Sequence, residues 1–222
     1  MAAIFAGDGT INAALEALAG WGGAVLVLPG GTKNLLYHRL HGDRDMDDVL
    51  RDVMSGIARR ERPGLISSSA GNAYAGLMAG PGTSWYSVRE AMRDADIVEM
   101  AGGTVNALSE TLDGPQIACI EPKLGRSDGY PLLLCNPGDD GIELVAFHAE
   151  NAAEYASQTF ALLRRNFRDG PHEVLGTASK LRFRPEGGGA FGLLIDGEAA
   201  EGTPETEFVL AHTQVDLLAT HA

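Results

Sequence analysis

The chain begins MAAIFAGDGTINAALEALA, an apolar run that meets a glycine corner and passes at once into helical spacing. Residues 2–6 (AAIFA) predict a short, fully buried strand. Within residues 10–19, Ile11, Ala14, Leu15 and Leu18 fall at i, i+3, i+4 and i+7, the spacing of one helix face. Gly20, Gly22 and Gly23 stop that helix. A second unit of the same kind follows. Residues 24–28 (AVLVL) are apolar on both faces, as in a parallel sheet covered by helices. PGGTKNLLYHRL is then a glycine turn running into a second helix, and a third helix is expected over residues 46–59. Strand–helix–strand–helix over residues 1–60 is the grammar of an open α/β sheet. Both glycine corners then lie at the carboxyl ends of parallel strands, where such sheets bind ligands.

After Arg62-Pro63 the pattern changes. Strand-like segments are expected at residues 64–68, 73–78, 116–120, 132–135, 142–147, 180–184, 192–195 and 207–211, separated by clusters such as NPGDDG and RPEGGG. Helical spacing interrupts them at 87–94 and 154–166. The fold expectation is therefore α/β plus β: an open α/β domain at 1–60, then an antiparallel β-sandwich domain at 61–222. The extreme C-terminus is a candidate to return to the first domain.

Composition excludes several functions. The formal charge is −13 over 222 residues, and nucleic-acid binding needs clustered Lys and Arg. Arg164, Arg165 and Arg168, and the Lys180, Arg182, Arg184 alternation, are local exceptions that read first as solvated faces. No apolar run reaches the roughly 20 residues of a membrane-spanning helix. Cys119 and Cys135 are the only cysteines, so neither a disulfide framework nor a C-x-x-C zinc site is written in the chain. A reducing cytoplasm is the expectation. Six scattered histidines offer no H-E-x-x-H spacing.

Four short motifs carry the chemistry. Gly7-Asp8-Gly9-Thr10 stands where a strand meets a helix. The unpaired N–H groups and the dipole there favour an anion, and glycines let phosphate oxygens approach the backbone. An Asp in that corner can hold Mg²⁺ or orient a transferring phosphoryl group. Read alone, D-G is equally a turn, with Thr10 capping the helix. Leu28-Pro29-Gly30-Gly31-Thr32-Lys33-Asn34 shifts the weight, because two such corners would face one crevice. Leu194-Ile195-Asp196-Gly197-Glu198 is by itself a hairpin turn. Asn136-Pro137-Gly138-Asp139-Asp140-Gly141-Ile142 pairs two carboxylates before a glycine, which suits a cation or simply a loop.

Taken in this order, the four motifs resemble the diacylglycerol kinase catalytic family, which includes bacterial lipid kinases and sphingosine kinases. Family members carry a G-G-D-G-T corner, an L-P-x-G-T-x-N corner, an Asp-Gly-apolar metal loop and a late D-G-E. The resemblance implies ATP-dependent phosphorylation of a lipid hydroxyl. It implies nucleotide contacts from Gly7, Asp8, Gly9, Thr10, Gly31 and Thr32, with Asp8 working beside Mg²⁺. It implies Glu198 as the general base that accepts the hydroxyl proton. Asp140, with backbone oxygens of Pro137 and Ile142, would form a structural Mg²⁺ loop. The implied partners are a lipid alcohol and, transiently, a membrane surface.

The departures are specific. Ala6 stands where the family has the first glycine of its corner. Lys33 replaces a small or apolar residue, and Leu35 follows Asn34 where many members have Asp. Six residues precede Gly7, where the family has roughly 50–60 residues of further α/β structure, judged from typical element lengths. The leading expectation is a fragment or a misplaced start. A short form that binds without transferring, or a partner chain supplying the missing wall, are the alternatives, and an exposed sheet edge would invite a homodimer. Outside the lipid kinases, the corner also fits another kinase of the NAD kinase or phosphofructokinase-like fold, or a non-catalytic nucleotide- or lipid-binding module.

Overall fold

The first strand, β1 (Ala2–Ala6), runs parallel to β2 (Ala24–Pro29), with Ala6 directly opposite Pro29. This register places the two glycine corners side by side. The structure is a computed structural model and describes residues 1–84, 114–147 and 172–221. Helix α1 (Asp8–Ala17) connects the two strands, and α2 (Leu35–His41) and α3 (Met46–Met54) follow. Helix α3 is shorter than the sequence suggests. The chain leaves it through Gly56 at φ 73°, a backbone conformation that favours glycine, and enters β3 (Arg59–Glu61).

The remaining strands are β4 (Gly64–Ser68), β5 (Gly71–Ala73), β6 (Leu77–Ala79), β7 (Ile117–Glu121), β8 (Lys123–Leu124), β9 (Leu132–Pro137), β10 (Ile142–Phe147), β11 (His172–Ala178), β12 (Lys180–Pro185), β13 (Phe191–Ile195), β14 (Glu198–Gly202), β15 (Glu207–His212) and β16 (Asp216–Ala219). The expected strand at 73–78 is in fact two, β5 and β6, which sit in different sheets. The expected helices at 87–94 and 154–166, and the Arg164, Arg165 and Arg168 group, lie outside the described residues.

Two six-stranded sheets, β5-β4-β15-β12-β7-β8 and β11-β10-β9-β6-β13-β14, pair antiparallel throughout. Their inner faces share one core that includes Ile66, Leu77, Leu133, Leu144, Phe183 and Phe208. This is a sandwich rather than a barrel. The Phe183 and Phe208 rings lie 5.1 Å apart at a 33° tilt, a pairing worth about 0.5–1.5 kcal/mol beyond their burial. On its surface Lys180 pairs with Glu207 at 2.5 Å and Arg182 with Glu121, so two of the three alternating cations are matched by carboxylates.

The α/β part is a four-stranded sheet ordered β1-β2-β16-β3. The last strand comes back from the sandwich and inserts beside β2, parallel to it and antiparallel to β3. Strand β2 is thus central, and its residues are buried from Ala24 to Leu28, as a helix-covered parallel strand requires. Strand β1 corrects the expectation of full burial. It pairs with β2 alone among the described strands, its residues alternate, and Phe5 is 65% exposed. Apolar composition without alternation reads as burial on both faces; the position at the sheet edge overrides it.

His41 closes α2 against the returning strand. Its ring is fully buried, with Nδ1 3.0 Å from Thr220 Oγ1. Burial pushes it down to about 4, against a backbone contact at Val27 that raises it, while Arg44 and His38 lower it further. A neutral buried histidine must take up a proton to unfold in acid, so the unfolded chain binds more protons between about pH 6.5 and 4. The resulting stability, on the order of 3 kcal/mol, is fully present above pH 6.5 and is lost as the pH falls toward 4. In thermal unfolding from pH 7 to 4.5, the wild type should lose stability more steeply than His41→Gln. Parallel curves would contradict this account.

Candidate active site

Local glycine chemistry brings the first two corners into contact. Gly30 N–H donates to Ala6 O at 3.1 Å. A Cβ on Gly30 would sit 2.6 Å from Ala6 N, and one on Gly31 would sit 2.6 Å from Gly7 Cα. The chains cross where no side chain fits. Outward, the corner is open: a Cβ on Gly9 would meet nothing within 4 Å. Gly7 is the N-cap of α1 and supplies no side-chain cap. Thr10 lies inside the first turn and is exposed, so it is not the cap that the turn reading supposed.

Asp8 is buried at 8% exposure, and its Oδ1 accepts the Leu36 N–H at 3.2 Å. The carboxylate of the first corner thereby meets the first turn of α2. Asn34 sits at φ 51° and folds its amide back on Gly31, accepting from Gly31 N–H at 2.7 Å and donating to Gly31 O at 2.9 Å. This clasp shapes the second corner and leaves Gly31 and Thr32 exposed.

The D-G-E segment is the two-residue turn between β13 and β14. Ile195 pairs with Glu198, and Asp196 and Gly197 between them have φ 48° and 80°. Positive φ at both positions is what a type I′ hairpin turn demands, and Asp-Gly is a preferred pair for it. The turn is tied to both other corners. Asn12, one turn into α1, donates to Asp196 Oδ2 at 2.7 Å. Lys33 Nζ donates to Gly197 O at 2.5 Å and lies 3.6 Å from Glu198 Oε1. Glu198 itself is 64% exposed, facing outward where a substrate can reach it.

Asp196 is the residue that motif reading passed over. It is 2% exposed. Beyond Asn12, its oxygens accept the N–H groups of Tyr74, Ala75 and Gly76 at 2.8, 2.8 and 2.9 Å. Burial pushes this carboxyl up, and the four donors pull it back toward the ionised form. Its signal in the sequence was the D-G turn; nothing local announced the three distant amides.

The fourth motif begins beside the loop that Asp196 holds, where a Cβ on Gly76 would sit 3.8 Å from Asn136 Oδ1. Pro137 O accepts from Arg39 Nη2 at 2.7 Å, and the turn closes through Gly138 N–H to Gly141 O at 2.8 Å. Asp139 and Asp140 are exposed. Among the described residues no group of three or more His, Cys, Asp or Glu could hold a metal ion. A cleft of about 720 Å³ beside Lys123, Arg126 and Arg184 contains none of the predicted site residues.

A small α/β sheet bearing paired glycine corners is joined to a β-sandwich whose hairpin turn reaches them, a fold shared with solved structures of candidate diacylglycerol kinases. Residues 2–65 match the family model of the diacylglycerol kinase catalytic domain. Among solved structures, a candidate diacylglycerol kinase from Bacillus anthracis str. Sterne is similar with a TM-score of 0.58 and 14% identity, over 98% of this chain and 76% of that chain. A second such structure from the same organism gives 0.57 and 15%, over 97% and 75%. A diacylglycerol kinase from the same strain gives 0.51 and 9%, over 88% and 66%. At these identities the likeness is one of fold. No curated protein matches the chain.

Proposed function

We propose that this chain is an ATP- and Mg²⁺-dependent lipid kinase of the diacylglycerol kinase type. The observation that carries the reading is the junction itself: residues 7–10, 31–33 and 196–198 are far apart in sequence and are held together by Asn12, Lys33 and the Gly7–Gly31 crossing. The match of residues 2–65 to the family's catalytic domain supports the same reading.

The parts have distinct tasks. Gly7, Asp8, Gly9 and Thr10 present backbone N–H groups at the uncapped start of α1, where phosphate oxygens are favoured. Gly31 and Thr32, exposed in the second corner next to Gly7, would add contacts from the other side. Mg²⁺ keeps several waters and binds through one or two carboxylates plus substrate phosphates, and the single Asp8 suits that demand. When bound, the ion would neutralise charge on the transferring phosphoryl group. Glu198 accepts the proton of the lipid hydroxyl as its oxygen attacks. The Asp140 loop suits a cation less well, because Arg39 already brings positive charge to Pro137 O; no step involves Asp140, Pro137 or Ile142.

The remaining elements of the reading are a lipid alcohol as acceptor, transient contact with a membrane surface, and a cytoplasmic location. Among the described residues no helix is long and apolar enough to cross a membrane. A homodimer through the edge of β1 that pairs with no other described strand belongs to the same proposal.

The test is transfer of labelled γ-phosphate from ATP into a lipid extract with Mg²⁺ present. Asp8→Ala should abolish labelling, and Glu198→Gln should lower kcat by about 10²–10⁴-fold with little change in nucleotide affinity. Labelling of NAD or a sugar phosphate without lipid product would point to another kinase of related fold. Calorimetric binding of Mg²⁺-ATP with no transfer to any acceptor would identify a non-catalytic module instead.

A further inference from the structure

Lys33 puts a cation where the family pattern has a small or apolar residue, and the structure places it between two parts of the site. It belongs to the second glycine corner. Its ammonium group donates to Gly197 O at 2.5 Å and lies 3.6 Å from Glu198 Oε1, and its side chain is only 22% exposed while that of Glu198 is 64% exposed. Gly197 makes the approach possible. A Cβ there would sit 2.5 Å from Nζ, so the cation rests against bare backbone at the tip of the hairpin. Next to Lys33, the Asn34–Gly31 clasp holds the corner from which the lysine extends.

We infer that Lys33 is a positioning residue that fixes the Glu198 carboxylate over the nucleotide corner. The inference rests on the kinase reading. An exposed glutamate at the start of an edge strand has several rotamers, and a general base works only within hydrogen-bond reach of its proton. A cation held by the neighbouring carbonyl narrows that choice. It does so from the element that faces the nucleotide, so the base is registered to the phosphate-binding corner rather than only to its own sheet. Misplacement of a catalytic group by about 1 Å can cost on the order of 100-fold in rate.

The measurement is a double-mutant cycle on the full chain, with lipid phosphorylation and Mg²⁺-ATP calorimetry run side by side. Lys33→Met should lower kcat about 10- to 100-fold while leaving the calorimetric affinity for Mg²⁺-ATP within about twofold. Lys33→Arg should recover part of the loss. Added to Glu198→Gln, Lys33→Met should cost little more, because it acts through the residue already removed. The inference is overturned if Lys33→Met transfers as well as the wild type, if its loss multiplies fully with that of Glu198→Gln, or if nucleotide affinity falls in place of kcat. A wild-type chain that phosphorylates no lipid overturns the kinase reading and this inference with it; a wild type that transfers normally beside an unaffected Lys33→Met overturns the inference alone.

Discussion

Replacing Arg39 with methionine should lower the unfolding midpoint by on the order of 10 °C. The guanidinium leaves α2 and enters the seam between the two parts of the molecule. Nη1 donates to Gly64 O at 2.6 Å and to Tyr74 O, and Nη2 donates to Pro137 O at 2.7 Å. Burial lowers its pKa, while Asp139, Asp196 and Glu61 raise it from a distance. Three carbonyls from three segments therefore depend on one planar donor. Methionine would match its apolar stem and leave those oxygens unpaired at about 1–3 kcal/mol apiece, less whatever water recovers. A net loss of about 3–5 kcal/mol follows by analogy with broken buried charge contacts. Arg39→Lys should recover only part, since an ammonium is a point charge and cannot reproduce the fork. Urea unfolding of the three proteins measures this directly; a loss under about 1 kcal/mol for Arg39→Met would refute the seam role.

Asp196→Ala should be costly in two ways at once. Its carboxylate collects Asn12 and the amides of Tyr74, Ala75 and Gly76. Hydrogen bonds to a charged group are worth about 1.5–3 kcal/mol each and are not additive within one cluster, so about 3–5 kcal/mol is the expected loss of stability. The same change releases the hairpin tip from α1, and lipid phosphorylation should fall with it. Asp196→Asn is the informative companion. It keeps the shape but turns an NH₂ toward backbone donors, so it should stay well below the wild type in both stability and transfer. Glu198→Gln, by contrast, should unfold at nearly the wild-type temperature, because Glu198 is largely exposed. Hydrogen exchange at residues 74–76 gives a local readout: faster exchange in Asp196→Asn, unchanged exchange in Glu198→Gln. Equal exchange in all three proteins would show that Asp196 does not hold that loop.

Much of the fold was legible because it is written in local rules. AVLVL has the unbroken apolar character of a central parallel strand, and β2 is one. The run at 142–147 coincides with β10, and 64–68 with β4. Where reading failed, a non-local term had won. AAIFA has the composition of a buried strand but lies at a sheet edge, so Phe5 is exposed. Residues 73–78 look continuous in hydropathy, yet the chain changes sheets between Ala73 and Leu77. Residues 172–178 carry too little apolar alternation to announce β11, which forms because β10 offers it an edge.

The site divides the same way. The glycine corners and the Asp-Gly turn follow from the sequence alone, because positive φ and close backbone approach admit few residues. Local spacing also put a helix start after each corner, a place where an anion is favoured. Only the tertiary structure decided what those pieces touch. Asn12 and Asp196 are 184 positions apart, and Lys33 and Gly197 are 164 apart. No periodicity or turn preference encodes such pairs. They exist because β16 returns to lie beside β2, and because the shared sandwich core fixes where the β13–β14 hairpin ends. Contacts of that range carry a loop-closure cost that no local interaction offsets. Their partners are set by the packing of the whole chain, which is why Asp8, conspicuous in its motif, turned out to meet α2, while the inconspicuous Asp196 holds the junction together.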